Sequence, residues 1–331
     1  MPRIVRFDAA TLDHPSSQAA LAQACELLRR GGLVAFPTET VYGLGARALD
    51  AAAVLRIFSA KGRPLHHPLI AHVADEERAR ELASEWPERA SRLAKAFWPG
   101  PLSLVVKRAS HVPAVVAGGA DSLAVRAPAH PVARALLERF GEPIAAPSAN
   151  RYQELSPTEA SHVVKSLGDA VDLVLDAGPC SEGIESTVVD VRGDPRVLRP
   201  GPLGLAELRR VVAELAEPSG EMEAHLPRPS PGMDTRHYAP KARLEEVEGA
   251  ELAVRARSYR GLRLGALVRG AWELEALVCR MPLDAHGYGQ ALFASLHALD
   301  DAGVEVVLVE AIPAEAAWWA IADRLTRARA G

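Results

Sequence analysis

Lys61 and Arg63 put two cations one residue apart on a stretch that Pro64 keeps from continuing as a helix. An arginine fork grips phosphate oxygens in pairs and a lysine adds a point charge, so the pattern suits a polyphosphate. Taken alone it is more often a solvated loop. Its neighbours change the balance. The apolar run 33–36 breaks into Pro37, Thr38, Glu39 and Thr40, with Gly43 and Gly45 close behind, and a second run ending at 144–147 breaks into Ser148, Ala149 and Asn150. Hydroxyls, amides and free backbone N–H groups at strand ends form a ligand rim, although a plain turn has the same composition. The G-x-x-x-x-G-K-[ST] spacing is absent, so phosphate binding here would use another architecture than the P-loop.

Further polar groups sit at apolar boundaries. Arg126 closes the run Leu123-Ala124-Val125, and a buried arginine there requires an anion, either a protein carboxylate or a ligand. Ser122 opens that run, Arg199 closes another, and residues 183–187 form a loop entering a strand. His66, His67 and His72 match no zinc spacing, so no side chain is assigned to a metal. His72 ends the run Leu69-Ile70-Ala71 and suits a neutral hydrogen bond to a substrate.

These groups need elements to hold them. Apolar spacing predicts helices over 17–30 with Ser17 as N-cap, 51–60, 75–85, 88–97, 131–140 and 157–166. Strands are predicted over 33–36, 69–73, 102–106, 122–126, 143–146, 171–175 and 187–191. Such alternation describes an α/β sheet. From 218 to 240 prolines replace periodicity, which reads as a linker, yet it carries Arg236, His237 and Tyr238. Strands over 262–268 and 304–309 and helices over 287–301 and 313–329 then define a second, smaller α/β unit without a G-x-G-x-x-G turn. The expected organisation is 1–217, a linker or lid over 218–240, and 241–331.

Composition narrows the class. The chain has 331 residues, 48% of them hydrophobic, and a net charge of −4, which disfavours a general polyanion binder. Three distant cysteines, Cys25, Cys180 and Cys279, point to a reducing compartment without disulfides. The N-terminus has no secretory pattern and no apolar stretch is long enough to span a bilayer, so a cytoplasmic setting without a membrane partner is expected.

The motifs PTETVYGLG (37–45), KGRP…HPL…HV (61–73), FWPGPL (97–102), LAVRAP (123–128), PSAN (147–150), GIESTVVD (183–190) and LRPG (198–201) resemble the YrdC-like family. SPGM…HYAP (230–240) followed by a small α/β unit resembles its two-domain branch. The resemblance implies a large twisted mixed sheet with helices plus a small Rossmann-like domain. It implies an L-threonylcarbamoyladenylate synthase that consumes L-threonine, bicarbonate and ATP with Mg2+, and serves N6-threonylcarbamoyladenosine formation in tRNA. Downstream threonylcarbamoyl-transfer proteins, and a weak contact with tRNA, are its implied partners. Carried over by position, Lys61 and Arg63 are the implied catalytic pair. ATP would meet Lys61, Arg63, His67, Ser122, Ser148, Asn150, Ser156, Arg199, His237 and Tyr238. Threonine would meet Thr40, His72, Arg126, Ala146 and Ser186. His67 stands where the family usually has Asn, and Ala146 where a hydroxyl residue is common. Two alternatives stay open: a carbamoyl-adenylate-forming carbamoyltransferase, whose zinc-finger and acylphosphatase-like segments are missing, and a non-catalytic RNA-binding module.

Overall fold

A computed structural model of the chain describes residues 2–7, 11–217 and 238–330. The first part runs β1 (Arg3–Arg6), α1 (Pro15–Arg29), β2 (Val34–Phe36), β3 (Gly43–Arg47), α2 (Ala51–Lys61), β4 (Ile70–His72), α3 (Glu76–Glu81), β5 (Ala83–Glu85) and α4 (Glu88–Phe97). It continues through β6 (Leu102–Arg108), β7 (Ser122–Arg126), α5 (Pro131–Phe140), β8 (Ile144–Ala145), α6 (Ala160–Leu167), β9 (Leu173–Asp176), β10 (Thr187–Asp190), β11 (Arg196–Arg199) and α7 (Leu205–Arg209). Its strands form one mixed sheet in the order β1-β9-β2-β3-β8-β4-β7-β6-β10-β11, with β5 paired to β6. Helices pack on both faces. Leu44, Val54, Ile57, Leu69 and Val125 belong to one buried layer, and Leu21, Leu28, Phe36, Leu136 and Leu173 to the other.

The second part runs β12 (Arg243–Val247), α8 (Leu252–Ser258), β13 (Leu264–Val268), β14 (Leu277–Arg280), α9 (Ala285–Asp301), β15 (Val306–Glu310) and α10 (Trp319–Arg329). Its four strands are all parallel, in the order β12-β15-β13-β14. Crevices at the carboxyl ends of such strands are common ligand sites. Here the chain's own Glu310 carboxylate fills that place, accepting from the backbone N–H groups of Arg269 and Gly270. The core of this unit reaches across to Leu155 and Ile184 of the first part.

Local chemistry explains most boundaries and several corrections. Asp50 caps α2 by accepting from the Ala52 and Ala53 N–H groups, and the helix runs to Lys61 itself. The N-cap of α1 is His14, not Ser17. Pro15 presets the first helical turn, so the helix starts earlier and Ser17 is buried within it. The helix expected over 75–85 stops at Glu81, because residues 83–85 pair with the end of β6. α6 starts at Ala160, later than 157. Gly43 and Gly45, expected just beyond the ligand rim, belong to the buried strand β3 between β2 and β8. Gly45 permits that packing: a Cβ there would fall 2.8 Å from Ile144 Cγ2 and from Phe36 Cε1. Most of the expected lid, residues 218–237, lies outside the described residues.

Candidate active site

β4 and β7 run parallel with His72 opposite Arg126, so both strands deliver a polar side chain at their carboxyl ends. The turn after β2 faces them. Arg126 donates from Nη1 to Thr40 Oγ1 at 2.9 Å and from Nε to the Gly100 carbonyl at 3.2 Å. Its Nη2 lies 2.7 Å from Glu39 Oε1. That contact is an ion pair whose angles do not make a hydrogen bond, so Nη2 is buried without a hydrogen-bond partner. Glu39 Oε2 accepts from the Ala129 N–H at 3.1 Å, which fixes the carboxylate. Thr38 and Thr40 share a hydroxyl contact at 2.8 Å, and Thr38 also donates to the Val41 carbonyl.

His72 is 3% exposed, and its Nδ1 has no hydrogen-bond partner. Burial, and then the charge of Arg126, push its pKa down to about 3. It is therefore a neutral imidazole at ordinary pH, suited to hydrogen bonding and unsuited to carrying charge.

Two more cations border the same cavity. Arg63 follows α2 and donates to the Pro68 carbonyl at 3.1 Å. Arg199 ends β11 and donates to the Ser186 carbonyl at 2.9 and 3.1 Å, and to Ser186 Oγ at 3.1 Å. Ser186 Oγ also meets Ser103 Oγ at 2.8 Å. Ala146, Ser148, Glu185 and Tyr238 also line it. Of the residues expected from sequence, the structure thus gathers Thr40, Arg63, His72, Arg126, Ala146, Ser148, Ser186, Arg199 and Tyr238 around one space.

Others stand behind it. Lys61 is wholly buried, and its ammonium donates to the Ser148 carbonyl at 2.6 Å and to the Asn150 carbonyl. Burial first, and then Arg63, hold its pKa well below the usual lysine value. In this structure it braces the Pro147–Asn150 turn and is not among the residues lining the cavity, unlike Arg63, the other arm of the expected phosphate clamp. Asn150 likewise spends its amide N–H groups on the carbonyls of Arg151 and Glu154. Ser156 Oγ donates to Glu185 Oε1. His67 packs edge-on to Tyr152, with ring centroids 5.4 Å apart. Ser122 is buried at the opposite end of β7 from Arg126, about 13 Å along the strand. His237 lies outside the described residues.

The sequence placed Thr38 and Glu39 on a ligand rim without giving either a role, and it passed over Glu185, Ser103 and Arg324 as site residues. The signal for the two carboxylates was available. Both sit inside motifs already singled out, and arginines buried at strand ends require acidic partners.

Fold and site together define an α/β protein whose arginine-lined cavity opens at strand ends of a mixed sheet, beside a docked parallel α/β unit. Residues 26–201 match the Sua5–YciO–YrdC family model, described as "Telomere recombination", and residues 204–330 match that of the threonylcarbamoyl-AMP synthase C-terminal domain. The chain is 42% identical to the threonylcarbamoyl-AMP synthase of Pyrococcus abyssi, with 92% of each chain covered. It is 38% identical to that of Bacillus subtilis, over 94% of this chain and 93% of the relative. Among solved structures, P. abyssi Sua5 complexed with L-threonine superposes with a TM-score of 0.88 at 38% identity, covering 99% of this chain and 97% of that one. An alanine double variant of the same protein gives 0.92, covering 99% and 96%. The chain belongs to the Sua5–YciO–YrdC family, in its two-domain form.

Proposed function

We propose that this chain is an L-threonylcarbamoyladenylate synthase, a nucleotidyltransferase that forms threonylcarbamoyl-AMP and pyrophosphate from L-threonine, bicarbonate and ATP. The observation that carries the reading is the buried His72 Nδ1, which has no hydrogen-bond partner, beside Arg126 at the adjacent strand end, both residues lining a cavity shared with Arg63 and Arg199. Buried polar atoms are rarely left unpaired, so an unmet imidazole nitrogen beside three arginines marks a place for a ligand. The relatives named for this activity, and the relative solved with L-threonine, agree with it.

The chemistry suits the residues. The threonine amine and bicarbonate give a carbamate and water. A carbamate oxygen then attacks the α-phosphorus, and pyrophosphate leaves. Such a displacement depends on positioning and charge neutralisation more than on a covalent nucleophile. Arg126 Nη2 would take the threonine carboxylate, with Thr40, Ser186 and neutral His72 orienting the amino acid and Ala146 packing beside it. Arg63, Arg199 and Ser148 would hold the phosphates. Lys61 supports Ser148 from behind, and His67, Ser122, Asn150, Ser156, His237 and Tyr238 remain part of the proposed nucleotide set.

Glu185 on the cavity wall and Glu39 beside Arg126 already face arginines, so Mg2+ would enter with ATP on phosphate oxygens and water and offset their charge. The product would pass to proteins that transfer the threonylcarbamoyl group to tRNA, with a weak tRNA contact at most. Among the described residues no helix is long and apolar enough to cross a membrane, and a cytoplasmic setting fits these substrates.

The test is pyrophosphate release that requires both threonine and bicarbonate, and that is lost in Arg63→Ala. Release indifferent to threonine would sink the reading. Salt-sensitive RNA binding without turnover would favour an RNA-binding module instead.

A further inference from the structure

The last helix sends a buried arginine into the catalytic half. Arg324, on α10, has a wholly buried side chain. Its Nε donates to Glu185 Oε2 at 2.7 Å, and its Nη2 to the carbonyls of Pro200 at 3.1 Å and Glu185 at 3.4 Å. Its guanidinium carbon lies 5.0 Å from the ring centroid of Tyr238. Nη1 meets Asp323 at 2.6 Å, but Asp323 also has Arg327 at 2.9 Å. Arg324 is thus free to act chiefly as the counter-charge of Glu185.

Glu185 is the group that needs one. It lines the cavity beside Ser186 and Arg199, and its other oxygen accepts from Ser156. The loop that carries it is fixed from the C-terminal side as well. Gly183 lies so close to α9 that a Cβ would fall 2.5 Å from the Gln290 backbone, and Ile184 is part of the small unit's core. A bare carboxylate on the wall of a polyphosphate site would repel the ligand and would itself be a costly buried charge.

We propose that Arg324 is a positioning residue for the nucleotide: from the C-terminal unit it neutralises and orients Glu185, so that the cavity accepts the polyphosphate. This deepens the synthase reading and rests on it.

Three variants test it: Arg324→Met, Glu185→Gln and the double variant. Steady-state KM for ATP and for threonine is measured alongside thermal unfolding. In Arg324→Met the ATP KM rises about tenfold or more, with a smaller change for threonine, because one unpaired carboxylate now faces the phosphates. The double variant removes that charge and returns the ATP KM to within about threefold of Glu185→Gln. A purely structural role would leave the double variant, which lacks the same contacts, as impaired as Arg324→Met. If Arg324→Met does not fold, Arg324→Lys replaces it, keeping the charge without the fork, with an ATP KM between the wild-type value and about tenfold above it.

An ATP KM within threefold of wild type in Arg324→Met, or no recovery in the double variant, overturns the proposal. So does an ATP KM in Arg324→Lys outside that interval. Should the wild type release no threonine-dependent pyrophosphate, the synthase reading fails. Equilibrium binding of inorganic pyrophosphate to the same variants then decides the charge relation, with about tenfold weaker binding in Arg324→Met supporting it and equal binding overturning it.

Discussion

Arg126 and Glu39 are held together at 2.7 Å, one from the end of β7 and the other from the turn after β2, and both side chains are nearly inaccessible. The pair fixes the arginine in place at the cavity wall. Glu39 offsets its charge and the Thr40 and Gly100 contacts fix its plane, while Nη2 keeps its hydrogen-bonding capacity. Glu39→Gln leaves the guanidinium buried and undercompensated, with an expected loss of about 3 kcal/mol. Threonine, bringing its own carboxylate, should stabilise this variant more than the wild type. Urea unfolding with and without threonine measures both effects, and a variant as stable as wild type would refute the account.

Lys61 offers a different kind of test, because its ammonium meets backbone carbonyls. Lys61→Met keeps the length of the side chain and removes both hydrogen bonds, leaving the Ser148 turn looser. The ATP KM should rise about tenfold, the equivalent of one or two such bonds, with threonine binding little changed. Unaltered ATP kinetics would show that the turn holds without it.

Two buried histidines predict an acid-side loss of stability. His72 and His297 are each pushed down to about 3, by burial first and then by Arg126 and His162 respectively. Unfolded, each titrates near 6.5. Between those values the unfolded chain binds protons that the folded chain refuses. Each histidine therefore removes about 1.4 kcal/mol of stability per pH unit as pH falls through that window, and nothing above it. From pH 7 to pH 5 that is about 2 kcal/mol each. His297→Gln, away from the cavity and able to reach the Ser156 carbonyl, should lose about 2 kcal/mol less than wild type over that interval. Equal losses by urea titration would remove this cause.

Gly183 tests the joint between the two units. Its φ of +71° and its closeness to Gln290 both exclude a side chain. Gly183→Ala should cost clearly more than Gly178→Ala, where φ is +80° and a Cβ meets nothing within 4 Å. The second change isolates the backbone strain of about 1–2 kcal/mol, and the excess reports the packing on α9. Equal melting temperatures for the two variants would mean that the loop can move away from the helix at no cost.

Much of this was legible along the chain, because helices, caps and short buried strands are local. The runs ending at His72 and Arg126, the loop after α2 and the turn at Ser148 could be placed from hydrophobic spacing and from Pro and Gly. What failed did so through partners distant in sequence. β5 exists because residues 83–85 meet the end of β6, and β3 is a strand because its backbone pairs with β2 on one side and β8 on the other.

The charges show the same division. The residue types by themselves determined that a cluster of cations and hydroxyls would gather at strand ends, and that its arginines would require anions. Tertiary structure alone decided which anions those are. Glu39 faces Arg126 across 87 positions of chain, and Glu185 is met by Arg324 from 139 positions away. It also turned Lys61 from the cavity onto the Ser148 and Asn150 carbonyls. A side chain's charge is a local property, but its partner is set by packing: a buried charge is tolerated where the folded chain brings an opposite charge or a dipole to within hydrogen-bonding distance.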